Sequence, residues 1–360
     1  MIDPSSTAAP LGPSAIAAMQ VVPEDTVLEV KNLGVAFRSE AGLTQVVHDV
    51  SFTVKRGEVL ALVGESGSGK SVTSLALMRL TQPAPRTELT GSALFRGRDG
   101  VTRNLLALSE TDMQGMRGNE ISMIFQEPMT SLNPVQTVGM QIAEAIIYHR
   151  GMGRRPALEE TERLLELVGI SEARRRLSVY PHHLSGGMRQ RVMIAMALAC
   201  DPSVLIADEP TTALDVTVQA QILDLLQELR ARMGTAIVFI THNLGVVAEI
   251  AHRVMVMYAG RIVEQGSVMT VLKHPMMPYT RRLLRSVPRL EIPDRSGAAL
   301  EAIPGSVPDP SRLPSGCSFH PRCDYAQRTL CDVTVPKIEE VSADHLIRCH
   351  RWRAVAEEEA

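Results

Sequence analysis

The stretch Gly64-Glu65-Ser66-Gly67-Ser68-Gly69-Lys70-Ser71 decides the fold, because it is a complete Gly-x4-Gly-Lys-Ser motif. An apolar run at 59–63 precedes it, and residues 71–78 follow with the composition of a helix. Since the motif works only between a strand and a helix, these flanks favour a phosphate-binding loop (P-loop) over a Gly-Ser turn that binds nothing.

The residue types of this loop predict how it holds a nucleotide. Glycines let consecutive N–H groups and the helix N-terminus face phosphate oxygens. Lys70 is expected to reach the β and γ phosphates, and the Ser71 hydroxyl is expected to ligate Mg²⁺. We therefore predict a site for nucleotide phosphates and magnesium between Gly64 and Val72.

Length, composition and charge indicate a soluble, largely globular chain. Its 360 residues exceed one ordinary core, 45% are apolar, 21% are charged, and the net charge of -3 gives no indication of nucleic acid binding. The uncharged segment 4–23 contains four prolines, and the apolar run 192–200 is too short to span a membrane. The first basic residue is Lys31, so no signal peptide is predicted, and a reducing cytoplasm without disulfides is expected.

Composition divides the chain into three parts. Residues 1–24, rich in proline and small residues, are expected to be a flexible leader. Residues 25–285 are expected to form an α/β domain, in which short antiparallel strands lead into the P-loop strand and a helical insert of about 127–183 precedes a buried parallel sheet. Residues 286–360 begin with a proline-rich linker and end in a cysteine-rich C-terminal extension.

Two further motifs carry chemistry. The apolar strand 204–207 runs into Asp208-Glu209, and carboxylates at the carboxyl end of such a strand lie beside a P-loop, where Asp208 would hold Mg²⁺ and Glu209 would polarise a water. Leu184-Ser185-Gly186-Gly187-Met188-Arg189-Gln190 begins a second helix, capped by Ser185 and with bare amides at its glycines. Taken alone, the first motif also fits a turn, and the second also fits an ordinary capped helix.

In their order along the chain these motifs resemble the ATP-binding cassette (ABC) ATPases, and the match covers about residues 27–285. The resemblance implies that Phe37 stacks on adenine and that Gln126 senses Mg²⁺ and the γ phosphate. It implies that His242 contacts that phosphate and that Asp215 belongs to a loop crossing to a partner. It also implies that Ser185, Gly186, Gly187 and Gln190 complete the nucleotide site of a second ATPase, so that two cassettes enclose two ATP molecules.

The C-terminal part resembles that of oligopeptide and dipeptide importer ATPases, through His274-Pro275-Met276-Met277-Pro278-Tyr279 and Gly316-Cys317-Ser318-Phe319-His320-Pro321-Arg322-Cys323. Met277 replaces the usual histidine of that pattern, which puts only local packing in doubt. The resemblance implies a peripheral subunit on the cytoplasmic face of the inner (plasma) membrane. It also implies three kinds of partner: a second, paralogous ATPase, two permeases that dock on the insert following Gln126, and, indirectly, a solute-binding protein.

Four cysteines lie in the tail, at Cys317, Cys323, Cys331 and Cys349, separated by five, seven and seventeen residues. This spacing differs from that of zinc ribbons, and a segment with so little core would gain from a metal. Metal ligands and unligated thiols both remain open from the residues, while the family resemblance favours a four-iron four-sulfur cluster.

Two other functions compete with an importer ATPase. One is a soluble cassette ATPase acting on DNA or ribosomes, which would usually show long coiled coils or two cassettes, and this chain shows neither. The other is a redox sensor in which the cysteine tail gates the ATPase.

Overall fold

Uninterrupted apolar runs form the centre of the protein. The computed structural model describes residues 22–40, 42–127, 131–212, 214–286 and 303–357. Five strands pair in parallel in the order β9-β3-β8-β7-β6. They are β3 (Val59–Val63), β6 (Ile121–Ile124), β7 (Val204–Asp208), β8 (Ala236–Thr241) and β9 (Arg253–Tyr258). Because nearly all their side chains are buried, the strands need apolar residues on both faces.

The same sheet continues beyond β9 with antiparallel strands. These are β10 (Arg261–Ser267), β12 (His345–Ile347) and β11 (Glu339–Ser342), in that spatial order. Through β12, which pairs with β10, the C-terminal region joins the sheet that carries the P-loop. The boundary at 285/286 stays a prediction, and most of the linker, residues 287–302, lies outside the described residues.

A second, four-stranded antiparallel sheet has the order β2-β1-β4-β5. Its strands are β1 (Thr26–Ser39), β2 (Gly42–Lys55), β4 (Thr87–Arg96) and β5 (Thr102–Asn104). The sequence predicted short strands ahead of the P-loop strand, but the structure has two strands of 14 residues each. The polar break at Lys31-Asn32 is a bulge with Asn32 at φ 52° and a register shift on either side of Leu33, so the strand bends without ending.

Eleven helices are described, and two of the longer ones, at 138–150 and 154–167, lie within the region predicted as a helical insert. The helices are α1 (Lys70–Leu77), α2 (Glu110–Met116), α3 (Val138–Arg150), α4 (Arg154–Leu167), α5 (Ala173–Arg176), α6 (Gly186–Leu198), α7 (Val216–Met233), α8 (Leu244–Ile250), α9 (Val268–Lys273), α10 (Pro278–Arg285) and α11 (Trp352–Glu357). Across the described ranges, no helix has the length and apolar character needed to cross a bilayer. The predicted leader falls almost wholly on residues 1–21, outside the described residues.

Three apolar clusters hold these layers together. The first joins the helical insert (α3–α5) to α6 and α7, and the second fills the space between the two sheets. The third packs α9, α10 and the cysteine-rich region against β9 and β10. The P-loop strand contributes side chains to all three clusters, so the loop that follows it is anchored by the whole fold.

Candidate functional site

Four neighbouring parallel strands bring the predicted chemical groups to one edge of the sheet. The P-loop follows β3, His242 follows β8, Glu209 follows β7 and Gln126 lies two residues beyond β6. Because these strands are adjacent and parallel, their carboxyl ends meet at the same edge. Groups up to 178 residues apart in sequence, from the P-loop at Gly64 to His242, thereby form one candidate site.

The P-loop has the conformation that its glycines predict. Gly67 and Gly69 have φ angles of 78° and 106°, and a Cβ at Gly64 would lie 2.2 Å from the Met257 carbonyl oxygen. The Lys70 ammonium donates to the carbonyl oxygens of Gly64 at 2.8 Å and Glu65 at 3.0 Å. The Lys70 side chain therefore bridges back to the start of the loop, and Ser66 and Gly67 are exposed at the tip of the loop.

One buried atom of this loop fits a phosphate group. Ser68 is 1% exposed, and its hydroxyl oxygen has no hydrogen-bond partner within the described structure. A buried hydroxyl without a partner is costly, and a phosphate oxygen at the loop would accept from it. The Val72 side chain packs against the core between the sheets, so only its backbone would face a bound phosphate.

Oxygen atoms suited to Mg²⁺ lie beside Lys70. The Ser71 hydroxyl donates to Asp208 Oδ1 at 3.2 Å, so the two oxygens are close enough to bind one ion. Burial raises the pKa of Asp208, against the opposing effect of the Ser71 hydrogen bond, and burial lowers the pKa of Lys70. Binding of a cation next to Asp208 would relieve the first cost, and binding of phosphate next to Lys70 would relieve the second.

Glu209 is held by three side chains. Its Oε2 accepts from Gln126 Nε2 at 3.2 Å and from the Thr212 hydroxyl at 2.8 Å, and its Oε1 lies 3.3 Å from His242 Nδ1. Glu209 also has φ 46°, a conformation that costs energy for a non-glycine residue and is typical of functional sites. Sequence reasoning gave Thr212 no role, although a hydroxyl three residues after an acid is a recognisable signal.

The second predicted helix, which begins after Ser185 and is α6 in the structure, lies apart from the chain's own P-loop. Ser185 caps α6, its Oγ accepting from the Met188 N–H at 3.4 Å, and Ser185 and Gly186 are exposed. In the described parts of the chain, α6 packs mainly on α3, α4 and β6, whereas α1 packs on β1, β2 and β7. Gln190, in contrast, is buried, with a side-chain nitrogen that lacks a partner there.

Phe37 and Asp215 have structural surroundings of their own. Phe37 lies near the end of β1, half-buried against the core between the sheets. Asp215 caps α7, its Oδ1 accepting from the Val218 N–H at 2.9 Å. Their predicted contacts with adenine and with a partner chain stay predictions.

The four tail cysteines are free thiols. Burial raises the pKa of Cys317, that of Cys323 to about 11 and that of Cys349 to about 12, with repulsion between the thiolates as a further cause. Throughout the described ranges, no group of three or more His, Cys, Asp or Glu side chains is placed to hold a metal ion. The structure therefore does not support the predicted iron–sulfur cluster.

The fold and the residues at this edge define a P-loop nucleotide hydrolase. Residues 47–212 match the family model described as ABC transporter, and residues 263–331 match the oligopeptide/dipeptide transporter C-terminal region. The chain thus belongs to the ATPases of ABC transporters, in the branch that carries the oligopeptide/dipeptide transporter C-terminal region.

Curated relatives match over nearly the full chain. A putative peptide import ATP-binding protein of Brucella ovis is 55% identical over 92% of this chain and 98% of its own length. The oligopeptide transport ATP-binding protein OppD of Salmonella typhimurium is 50% identical over 91% of this chain and 95% of its own length. AppD of Bacillus subtilis is also an oligopeptide transport ATP-binding protein. It is 47% identical over 93% of this chain and 99% of its own length.

Solved structures resemble the cassette part. A dimeric ATP-binding cassette in a post-hydrolysis state, bound to ADP and Pi, is 26% identical with a TM-score of 0.58, over 67% of this chain and 98% of that one. CbiO1 of Clostridium perfringens, part of an ABC transporter complex, is 27% identical with a TM-score of 0.57. The match covers 69% of this chain and 92% of CbiO1.

Proposed function

We propose that this chain is the ATP-hydrolysing subunit that powers import of dipeptides, oligopeptides or similar small solutes. The observation that carries the proposal is the carboxylate of Glu209, oriented by Gln126, Thr212 and His242 at the edge where the P-loop opens. The peptide-import names of relatives about half identical in sequence supply the class of solute.

Each residue at the edge has a distinct part in hydrolysis. Lys70 would leave the loop carbonyls for the β and γ phosphates, while Ser71, Asp208 and Gln126 would hold Mg²⁺. The ion would neutralise charge that develops on the phosphates. Glu209 would accept a proton from the attacking water, and His242, 59% exposed in its side chain, would contact the γ phosphate from the open side.

A second cassette would complete the site. The exposed N-terminus of α6 at Ser185 offers amides and a favourable dipole to a γ phosphate bound by another chain. Closure around ATP and release after hydrolysis would then be the power stroke. The dimeric, ADP-bound relative favours this assembly, and we propose that the partner is a distinct paralogue.

The remaining assignments concern location. We place the chain peripherally on the cytoplasmic face of the inner (plasma) membrane, bound to two permeases through the insert that follows Gln126, while a solute-binding protein delivers cargo on the other side. If charge reversals on α4, such as Arg155→Glu, left membrane recruitment and transport intact, this docking surface would be wrong. Stimulation of ATP turnover by DNA or ribosomes would instead favour the soluble alternative.

Uptake of a labelled peptide tests the function. Cells that lack this chain should regain uptake with the native sequence and should not regain it with Glu209→Gln at equal abundance. Glu249→Gln is the matched control, since Glu249 is an exposed residue of α8 away from the site. Equal uptake with and without the chain would contradict the proposal.

An iron–sulfur cluster remains a separate prediction from the family resemblance. Besides burial, repulsion from Cys317, Cys323 and Cys331 contributes to the raised pKa of Cys349, although the placement of the four thiols forms no metal site among the described residues. Iron and acid-labile sulfide in anaerobically purified protein decide the matter. Their absence would leave these residues as free thiols and would remove the redox-sensor alternative in its iron-dependent form.

A further inference from the structure

Arg322 of the C-terminal region reaches into the P-loop. Its Nη1 donates to Glu65 Oε2 at 2.8 Å and its Nη2 to Glu65 Oε1 at 2.9 Å, a two-pronged ion pair between residues 257 positions apart. The Arg322 side chain is 7% exposed and that of Glu65 is 25% exposed. Pairs of this geometry and burial are stronger and more specific than surface ion pairs.

The surroundings of Arg322 hold it in place. Its guanidinium also donates to Tyr258 Oη at 3.2 Å and to the carbonyl oxygen of Pro304 at 2.8 Å, and it lies over the Tyr258 and Phe319 rings. Tyr258, Tyr279 and Phe319 pack on one another with centroids 4.7 to 5.3 Å apart. The arginine is thus presented to the loop by a rigid aromatic cluster.

The same cluster binds the backbone of Glu65. Tyr279 Oη accepts the Glu65 N–H at 2.9 Å, while the Glu65 carbonyl accepts from Lys70. Side chain, N–H and carbonyl of this single P-loop residue are therefore all engaged. Two of the three contacts come from Tyr279 and Arg322, which follow β10 along the chain. They therefore come from outside the strands that carry the nucleotide site.

A carboxylate in a P-loop is an electrostatic liability. Glu65 lies in a loop built to bind phosphates, and its negative charge would repel them and attract Lys70, on which it exerts a coulombic effect. A paired arginine cancels that charge without entering the site. Loss of the arginine alone would therefore leave the negative charge of Glu65 unneutralised beside the phosphates. Loss of both partners would remove that charge.

We propose that Arg322 is a positioning residue which sets the affinity for ATP by neutralising Glu65 and fixing the P-loop from the C-terminal region. The proposal rests on ATP binding by this chain, so the native chain must first bind ATP. If the native chain does not bind ATP, the proposed function and the role of Arg322 both fail. If it binds ATP and Arg322→Gln binds equally well, only the role of Arg322 fails.

A double-mutant cycle measured by titration of a fluorescent ATP analogue tests the proposal. Arg322→Gln should raise the dissociation constant by roughly tenfold, with kcat at saturating ATP nearly unchanged. Glu65→Gln should bind at least as tightly as the native chain, since repulsion is removed and Arg322 keeps its tyrosine and carbonyl acceptors. The double variant should recover to within about threefold of the native chain.

Arg282→Gln is the matched control. Arg282 pairs with Asp324, two residues from Arg322, and tethers α10 to the same region without touching the P-loop. Its variant should keep native ATP affinity. Unchanged affinity in Arg322→Gln would overturn the proposal, and so would a double variant that binds no better than Arg322→Gln.

The cycle remains decisive if Arg322→Gln does not fold. Glu65→Gln leaves the arginine and its other partners in place. The proposed charge effect predicts that it binds ATP at least as tightly as the native chain, whereas a pair needed only to shape the loop predicts weaker binding. Weakened binding in Glu65→Gln, with an unchanged melting temperature, would therefore also overturn the proposal.

Discussion

His242 Nδ1 lies 3.3 Å from Glu209 Oε1, although the two residues follow different strands. The pair forms because β7 and β8 are parallel neighbours whose carboxyl ends coincide. Gln126 and Thr212 hold the other oxygen of the same carboxylate. The carboxylate that we propose as the general base is therefore oriented by protein groups, and its strained φ of 46° is part of that orientation.

Removal of this carboxylate should separate binding from hydrolysis. Glu209→Gln keeps the shape and the contacts of the side chain but cannot take a proton from water. We expect ATP binding to persist, turnover to fall by at least about a hundredfold, and the paired cassettes to remain closed. Single-turnover hydrolysis and sedimentation of the assembled cassettes measure both effects, and normal turnover would rule out Glu209 as the base.

Substitution of Ser185 should act on the other chain. Ser185→Ala removes a hydroxyl that is exposed at the start of α6 and distant from this chain's own P-loop. In the assembled transporter, photolabelling of this chain by an azido-ATP should stay native while hydrolysis at the partner's site falls. Loss of labelling on this chain itself would show that Ser185 acts within its own subunit.

Substitution of Gly260 by alanine should destabilise the fold far more than the same substitution at Gly57, another glycine of positive φ. Its N–H donates to the Ser68 carbonyl at 2.8 Å, and a Cβ there would lie 2.1 Å from the Val46 carbonyl oxygen. Gly260→Ala should cost roughly 3 kcal/mol and weaken ATP binding, because backbone beside the P-loop must move.

Gly57 provides the control for this substitution. It has φ 67°, with nothing within 4 Å of an added Cβ, so Gly57→Ala should cost only about 1 kcal/mol. Chemical denaturation measures both costs. Equal costs would mean that the close approach at Gly260 is relieved without strain.

The tail thiols should resist alkylation at mild pH. A pKa of about 11 at Cys323, against an ordinary 9.0, leaves about a hundredfold less thiolate at pH 8. Iodoacetamide should label Cys323 about a hundredfold, and Cys349 about a thousandfold, more slowly in the native chain than in the urea-unfolded chain. Mass spectrometry of the labelled peptides measures this, and equal rates would contradict the burial of these thiols.

The same groups make stability dependent on pH. Because the folded chain keeps these thiols protonated, the stability that they contribute is complete below the ordinary pKa of 9.0. It is lost as the pH rises through about 11 for Cys323 and about 12 for Cys349. The free energy of unfolding should therefore fall above pH 9, and less so after substitution of both cysteines by serine.

Local signals were enough to predict most of the nucleotide edge. The P-loop, the strand that ends in Asp208-Glu209 and the helical insert each follow from runs of apolar residues or from a fixed motif. The long β1 was missed because a bulge at Asn32 looks like a strand end in sequence. The contact between Arg322 and Glu65 has no local signal at all, since it depends on how the third apolar cluster packs the C-terminal region against the sheet.

The most direct test of an importer ATPase is affinity purification of this chain from its native membranes in mild detergent, followed by mass spectrometry. We predict recovery of two multi-span permeases and a second cassette ATPase. Recovery of ribosomal or DNA-bound proteins without permeases would leave the ATPase chemistry intact and would contradict the role in transport.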